Sequence, residues 1–277
     1  MKFFLNLKLI FGNKFLIIDI GIMAIKNKKV QLNNKRAGLL KFGAYEHMQR
    51  FYESGEMYFN TFDYFRHLEA NGDGRADRDE YCFEHYSGEC IKDFRIKIKP
   101  KKQSDKMIIF EGGKDLKELT LYSNQQEYSH LYSLSCIDLE WSIKNNFIIS
   151  PLNFAKTKEY VVPIFNLVEF LERVKNKLKS LDLEVKTDYI EYVKKDSYSG
   201  KMGAFKKFSN YAYQNEFRIA VDFKTTTPEI INIGSLSDIA KHPQNKEDFF
   251  SSDCEIGYLL DGKLIKQKIT NENIKEF

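Results

Sequence analysis

Proline and glycine are scarce in this chain of 277 residues, at five and fifteen. Their scarcity argues against disorder and for ordered, packed structure. An excess of one charge is missing too. Lysine and arginine number 43 against 39 aspartates and glutamates, and a net charge of +4 does not by itself imply a nucleic-acid partner. There are four cysteines, Cys82, Cys90, Cys136 and Cys254, and their spacing is not that of a zinc ribbon. With no clear export signal, the default is reduced thiols and a cytoplasmic location. The histidines are widely separated and no HExxH occurs. Cys82, His85 and Cys90 lack a fourth ligand nearby, so no metal site is expected. Neither a P-loop nor a dinucleotide-binding glycine fingerprint is present. The N-terminal stretch MKFFLNLKLIFGNKFLIIDIGIMAIKNKK is apolar, but Lys8, Lys14 and Asp19 interrupt it. No uncharged run of about 18 residues exists, so a spanning helix is not expected. Residues 1–22 read as an N-terminal extension, or as a segment ahead of an alternative start at Met23. Residues 23–277 read as a single domain.

Aromatic residues are abundant, with 23 Phe and 16 Tyr, which favours aromatic packing. GLLKFG (38–43) reads as a short strand. AYEHMQRFYES carries Tyr45, Met48, Phe51 and Tyr52 at helical spacing and stops at Gly55. Residues 62–68 read as a short helix capped by Thr61 or Asn60. NGDGRADRDE fails the calcium-loop pattern, because Ala76 stands at the sixth position and Cys82 at the twelfth. It reads as a surface or site-covering loop whose charges pair among themselves. FRIKIKP, KMIIF, LKELTLY and HLYSLSCIDLEW read as strands. Asn166 caps an amphipathic helix carrying Leu167, Phe170, Leu171, Val174, Leu178 and Leu181. DLEVKTDYIEYVKK reads as one strand, SYSGKMGAFKK as a loop, and CEIGYLLDGKLIKQKI as a hairpin turning at Asp261-Gly262. Strands outnumber helices without regular alternation. The expected fold is therefore α+β, mixed and mostly antiparallel, with a few packing helices.

The stretch 206–238 is the centre of interest. In YAYQNEFRIAVDF, Gln214 and Glu216 share a face if the strand begins early, and Arg218 follows on that face. Such a group is either a polar site on a rigid element or an ordinary strand edge. In the second case Glu216 forms a salt bridge with Arg218 or a neighbouring lysine. Ser133 and Ser135 alternate with Leu134 and Cys136, and share one face of the central strand.

Three stretches carry a resemblance: LLKFGAYEHMQRFYESGEMYFNTFDYFR with RADRDE, then LYSLSCIDLEW, then AFKKFSNYAYQNEFRIAV with INIGSLSDI. Together they resemble uncharacterised bacterial proteins similar to the DUF2971 superfamily, which brings no established activity. A more remote pattern is similar to ADP-ribosyltransferases, which present a basic residue, a serine-x-serine strand and a glutamine- or glutamate-x-glutamate motif in that order. Lys41, Ser133 with Ser135, and Gln214 with Glu216 meet that order, although Lys41 stands where arginine is usual. The resemblance implies NAD as cofactor and a macromolecular acceptor. Glu216 would stabilise positive charge on the ribose. Gln214 would position the acceptor or a ribose hydroxyl, and Ser133 or Ser135 would orient Glu216. Lys41 or Arg75 would pair with the pyrophosphate. Tyr58, Phe59 or Tyr213 would stack on nicotinamide, under loops 71–80 and 197–204.

The leading expectation is thus an NAD-dependent ADP-ribosyltransferase or NAD glycohydrolase. One alternative is a nucleic-acid-associated protein of phage defence, or a nuclease, using the lysine clusters at 26–36, 97–102, 173–179 and 201–207. The other is a non-catalytic interaction protein.

Overall fold

The computed structural model describes residues 4–11, 14–21, 36–68, 79–80, 82–98, 108–122, 128–138, 160–251, 254–260 and 263–269. Arg75, residues 71–78 of the polar loop and the Asp261-Gly262 turn lie outside them.

The chain opens with β1 (Phe4–Phe11) and β2 (Lys14–Gly21), an antiparallel hairpin. β3 (Arg36–Gly43) leads into α1 (Tyr45–Ser54), which buries Met48 and Phe51 one turn apart. Gly55 ends this helix in the left-handed region at φ 64°, its N–H bonded to the carbonyls of Arg50 and Phe51. β4 (Glu56–Thr61) and α2 (Phe62–Leu68) follow, and the Thr61 hydroxyl accepts the Tyr64 N–H at 3.2 Å. Then come β5 (Glu84–Ser87), β6 (Arg95–Ile98), β7 (Ile108–Glu111) and β8 (Glu118–Leu121). β9 (His130–Asp138) and β10 (Tyr160–Ile164) precede α3 (Leu167–Ser180). The Asn166 side chain accepts the Glu169 N–H at 3.1 Å, as a capping residue should, and α3 buries Phe170, Val174 and Leu178.

The predicted single strand after α3 is two. β11 (Val185–Tyr189) and β12 (Glu191–Val193) separate at Ile190, whose N–H leaves for the Glu216 carbonyl. The predicted loop around Gly200 contains β13 (Gly200–Lys201), paired with Glu84 and His85 of β5. β14 (Lys206–Phe208), a 3-10 helix at Ser209–Gln214 and β15 (Glu216–Val221) come next. The last elements are β16 (Glu229–Asn232), β17 (Gln244–Asn245), α4 (Lys246–Ser251), β18 (Cys254–Leu260) and β19 (Lys263–Ile269).

The fold is a mixed α+β arrangement with mostly antiparallel sheets, as the sequence pattern implies. Its main sheet has eight strands and runs β11-β15-β9-β3-β10-β17. β9 lies at its centre. On one side it pairs with β15 along residues 130–135. On the other it is shared, with β3 holding its C-terminal half and β4 its first two residues. β4 carries β16 outward. The β1–β2 hairpin and the β18–β19 hairpin join in a separate four-stranded sheet of order β19-β18-β1-β2.

The two faces of the main sheet differ in chemistry. One is apolar. Tyr132, Leu134 and Cys136 of β9 and Phe217, Ile219 and Val221 of β15 pack there against Phe51 of α1 and Phe170, Val174 and Leu178 of α3. Phe51 stands edge-on to Phe170, with ring centroids 6.2 Å apart. The residues between these on β9 and β15 face the other way, so the period of two sends Ser133, Ser135, Glu216 and Arg218 to the second face together. Among the described residues, a small apolar cluster of Phe62, Leu131, Ala204 and Ala220 lies on that face.

The end of α1 offers a direct check. A Cβ on Gly55 would meet the Gly234 carbonyl oxygen at 2.3 Å and would occupy a backbone conformation that side chains disfavour. Gly55→Ala should lower unfolding free energy by about 2 kcal/mol or more, measured by denaturant titration. An unchanged midpoint would show that the α1–β4 corner relaxes freely.

Candidate functional site

The candidate site begins at the break before β15. Asn215 takes a left-handed φ of 41°, which asparagine tolerates better than most residues. Its backbone carbonyl accepts the Cys136 N–H at 2.8 Å, and its side-chain amide donates to the Cys136 carbonyl at 2.5 Å. This lock ends the extended run. Gln214 therefore lies in the 3-10 helix rather than on an early strand, which corrects the expectation of a shared strand face. Gln214 and Glu216 are nevertheless both buried and linked through one lysine.

That lysine is Lys207 of β14. Its Nζ donates to Gln214 Oε1 at 2.7 Å and lies 3.1 Å from Glu216 Oε2 and 3.3 Å from Glu80 Oε2. Arg218, wholly buried at 0% exposure, supplies the second cation. Its Nη1 donates to Glu80 Oε1 and its Nη2 to Glu80 Oε2, both at 2.7 Å, a two-point fork. The same nitrogens reach the Ala204 carbonyl at 2.7 Å and Glu216 Oε2 at 3.0 Å. Among the described residues, two cations and two carboxylates thus meet in one buried cluster. The Gln214 Nε2 is also buried and makes no hydrogen bond, although its partner oxygen on the same amide is held by Lys207.

The protonation state of Glu216 follows from this geometry. Burial, the largest single influence, pushes its carboxyl up. The charge of Arg218, then that of Lys207, with the Ser133 hydroxyl as a smaller influence, together outweigh it and lower the pKa to about 2. The Glu216 N–H donates to the Tyr192 hydroxyl at 3.0 Å. Burial, then the Glu216 charge, raises the Tyr192 phenol far above its ordinary value.

The structure brings Ser133, Ser135, Gln214 and Glu216 together. Ser135 is buried directly opposite Glu216 across the β9–β15 ladder, and Ser133 is opposite Arg218. Lys41 goes elsewhere. Leu40 is the β3 residue opposite Ser135, so Lys41 faces the apolar side. There its Nζ donates to the Ser133 backbone carbonyl at 2.8 Å and sits 3.7 Å from the centre of the Tyr132 ring. Tyr58 is half exposed on β4, across from Ile230 of β16. Phe59 is buried in the apolar core, and Tyr213 is half-buried in the 3-10 helix. Both predicted covering segments reach Arg218, through Glu80 at the end of one loop and Ala204 in the other.

Two members were not recognised from sequence. Lys207 belongs to the 201–207 lysine cluster, which the nucleic-acid alternative needs on the surface, and it is buried; only its position beside an apolar Phe208 hinted at that. Glu80 belongs to a charge run expected to pair within itself. Instead it pairs with residues 138 and 127 positions away, while Asp79 pairs with Lys195 at 3.4 Å. His85, the histidine of the soft-ligand group, is held between Thr120 and the Lys195 carbonyl. Among the described residues, no group of three or more His, Cys, Asp or Glu side chains is arranged to hold a metal ion. No protein-family model, curated protein or solved structure matches this chain.

The cluster should leave an acid signature. The folded pKa of Glu216 is depressed, so its stabilising contribution is complete above the unfolded value near 4.5 and is lost as pH falls from there through about 2. Glu216→Gln, which leaves two buried cations with one carboxylate, should cost about 3 kcal/mol at pH 7. Denaturation curves of wild type and variant should converge as pH drops from 5 towards about 2. A gap independent of pH would mean that Glu216 does not titrate as this geometry requires.

Proposed function

We propose that this chain works by binding, as a non-catalytic interaction protein, and that the Glu216 cluster is an internal clamp. One observation carries this reading: the Glu216 carboxylate is already committed. Its Oε2 lies 3.0 Å from Arg218 and 3.1 Å from Lys207, and only 5% of the residue is exposed. Stabilising a ribosyl cation calls for uncompensated negative charge beside the sugar. Two cations at contact distance cancel that charge. The clamp joins the turn at Glu80, the backbone at Ala204 and strand β14 to the centre of the sheet. Cys90 is an exposed free thiol, in keeping with a reducing, cytoplasmic setting. Among the described residues, no helix is long and apolar enough to cross a membrane.

A second reading, NAD-dependent ADP-ribosyl transfer or NAD hydrolysis, is favoured by a different observation. The serine and glutamate motifs lie in register on adjacent strands, with Ser135 directly opposite Glu216 and Ser133 opposite Arg218. In that reading Glu216 is freed from its cations when NAD enters.

Nicotinamide release from NAD by purified protein separates the two. The binding reading expects none from folded wild type, with or without lysate as acceptor source. Release by wild type that disappears in folded Glu216→Gln overturns it. If that variant does not fold, the same loss in Ser133→Ala is decisive.

A further inference from the structure

The main sheet ends at β11, and among the described residues no strand pairs with its outer edge. The ladder fixes which backbone groups point there. The Glu216 carbonyl takes the Ile190 N–H at 3.0 Å, so hydrogen-bonded pairs alternate from there through Asp188–Arg218 and Lys186–Ala220. Val185, Thr187 and Tyr189 therefore aim their N–H and C=O groups outward. Tyr189 bears this out, since its N–H donates at 2.8 Å to the carboxylate of Asp188, a side chain of its own strand. An open edge of this kind is a template for a further strand.

The side chains of β11 match that edge to a second copy of itself. Antiparallel pairing about Thr187 sets Thr187 against Thr187, Lys186 against Asp188 and Val185 against Tyr189. These are a threonine pair, an opposite-charge pair and a pair of branched and aromatic residues, each favourable across a ladder. The outward groups of Thr187 then meet each other, and those of Val185 meet those of Tyr189. Lys186 and Asp188 fall at the closer, non-hydrogen-bonded positions, where side chains interact most directly. Both are exposed. Lys186 forms no ion pair among the described residues, and its Nζ lies 5.2 Å from the centre of the Phe205 ring. Val185 and Tyr189 pack at the margin of the core, so their pairing carries the apolar face across the junction. Charge also selects the register. Pairing centred on Lys186 would oppose two lysines, and pairing centred on Asp188 two carboxylates.

We propose that two copies of this chain pair through β11, edge to edge and antiparallel about Thr187, so that one continuous sheet runs through a two-fold dimer. In it Lys186 of each copy faces Asp188 of the other. The Tyr189 N–H passes from Asp188 to the Val185 carbonyl of the second copy, which leaves the Asp188 carboxylate to meet Lys186. Such a dimer goes beyond the binding reading above and is compatible with either outcome of the nicotinamide assay.

The test is sedimentation equilibrium of the full chain up to about 200 μM, where wild type should associate to a dimer. Lys186→Asp and Asp188→Lys each set like charges across both junction positions, and each should weaken association about tenfold or more. Mixed in equal amounts, the two variants set opposite charges across the junction again, and a heterodimer should form. Wild type that stays monomeric throughout overturns the proposal. So does a dimer that either single variant leaves intact, or a mixture that does not associate. If a single variant does not fold, hydrogen exchange at the Thr187 amide of wild type decides instead. Protection that rises with protein concentration is expected, and protection independent of concentration overturns the pairing.

Discussion

An arginine with no exposed surface sits one strand from the centre of this sheet, and its charge has to be answered by protein. A guanidinium cannot shed its proton to escape burial, as a lysine or a carboxyl can. Arg218 is answered by Glu80, Glu216 and the Ala204 carbonyl, and Lys207 is drawn in to balance the second carboxylate. Each partner comes from a different segment. Meeting the needs of one side chain therefore fixes a turn, a strand and a 3-10 segment against the second face of the sheet. Such a network adds little net stability over an apolar core, because desolvation offsets most of the attraction. What it supplies is specificity. A slip of one residue in β15 would turn Arg218 and Glu216 into the phenylalanine-lined face under the helices and leave both without partners.

The two faces of the sheet make that slip improbable from both sides. Phe217, Ile219 and Val221 lose their contacts with α1 and α3 in the same slip that strands the charges. Lys41 adds a lateral tie, reaching the Ser133 carbonyl past the Tyr132 ring. A basic residue, the serine strand and the glutamate strand are thus adjacent, in the order the remote family pattern implies. The alternation of side chains nevertheless puts the lysine on the opposite side of the sheet from Glu216. Proximity in topology is not proximity in chemistry when a sheet stands between.

How much of this was legible in the sequence depends on how local the cause was. α1, α3 and their caps follow from 3.6-residue periodicity, Asn166 and Gly55, all within a few residues of one another. The alternation of Ser133 and Ser135 against Leu134 and Cys136, and of Glu216 and Arg218 against Phe217 and Ile219, was equally plain, and so was a Glu216–Arg218 pair. Glu80 and Lys207 were not legible. Each sits in a run of like or mixed charges where composition says surface; the partners of Glu80 lie more than a hundred residues away, and Lys207 answers both Glu80 and the nearby Glu216. Asn215 hid a different fact. Its left-handed backbone is set by Cys136 across the ladder, so the strand starts at Glu216 and leaves Gln214 outside it.

The same accounting of charge bears on what the cluster can do. A site that sustains a developing cation must keep negative charge in reserve, and one that holds an anion must keep positive charge in reserve. Among the described residues, this cluster keeps neither, since two cations face two carboxylates. Removing Glu216 from the balance requires breaking a strand-borne group away from its own neighbour on β15 and from the Tyr192 hydroxyl that its backbone holds. Removing Glu80 breaks its two 2.7 Å bonds to Arg218 and its 3.3 Å contact with Lys207. Either departure strands buried positive charge, so the cluster holds as a unit.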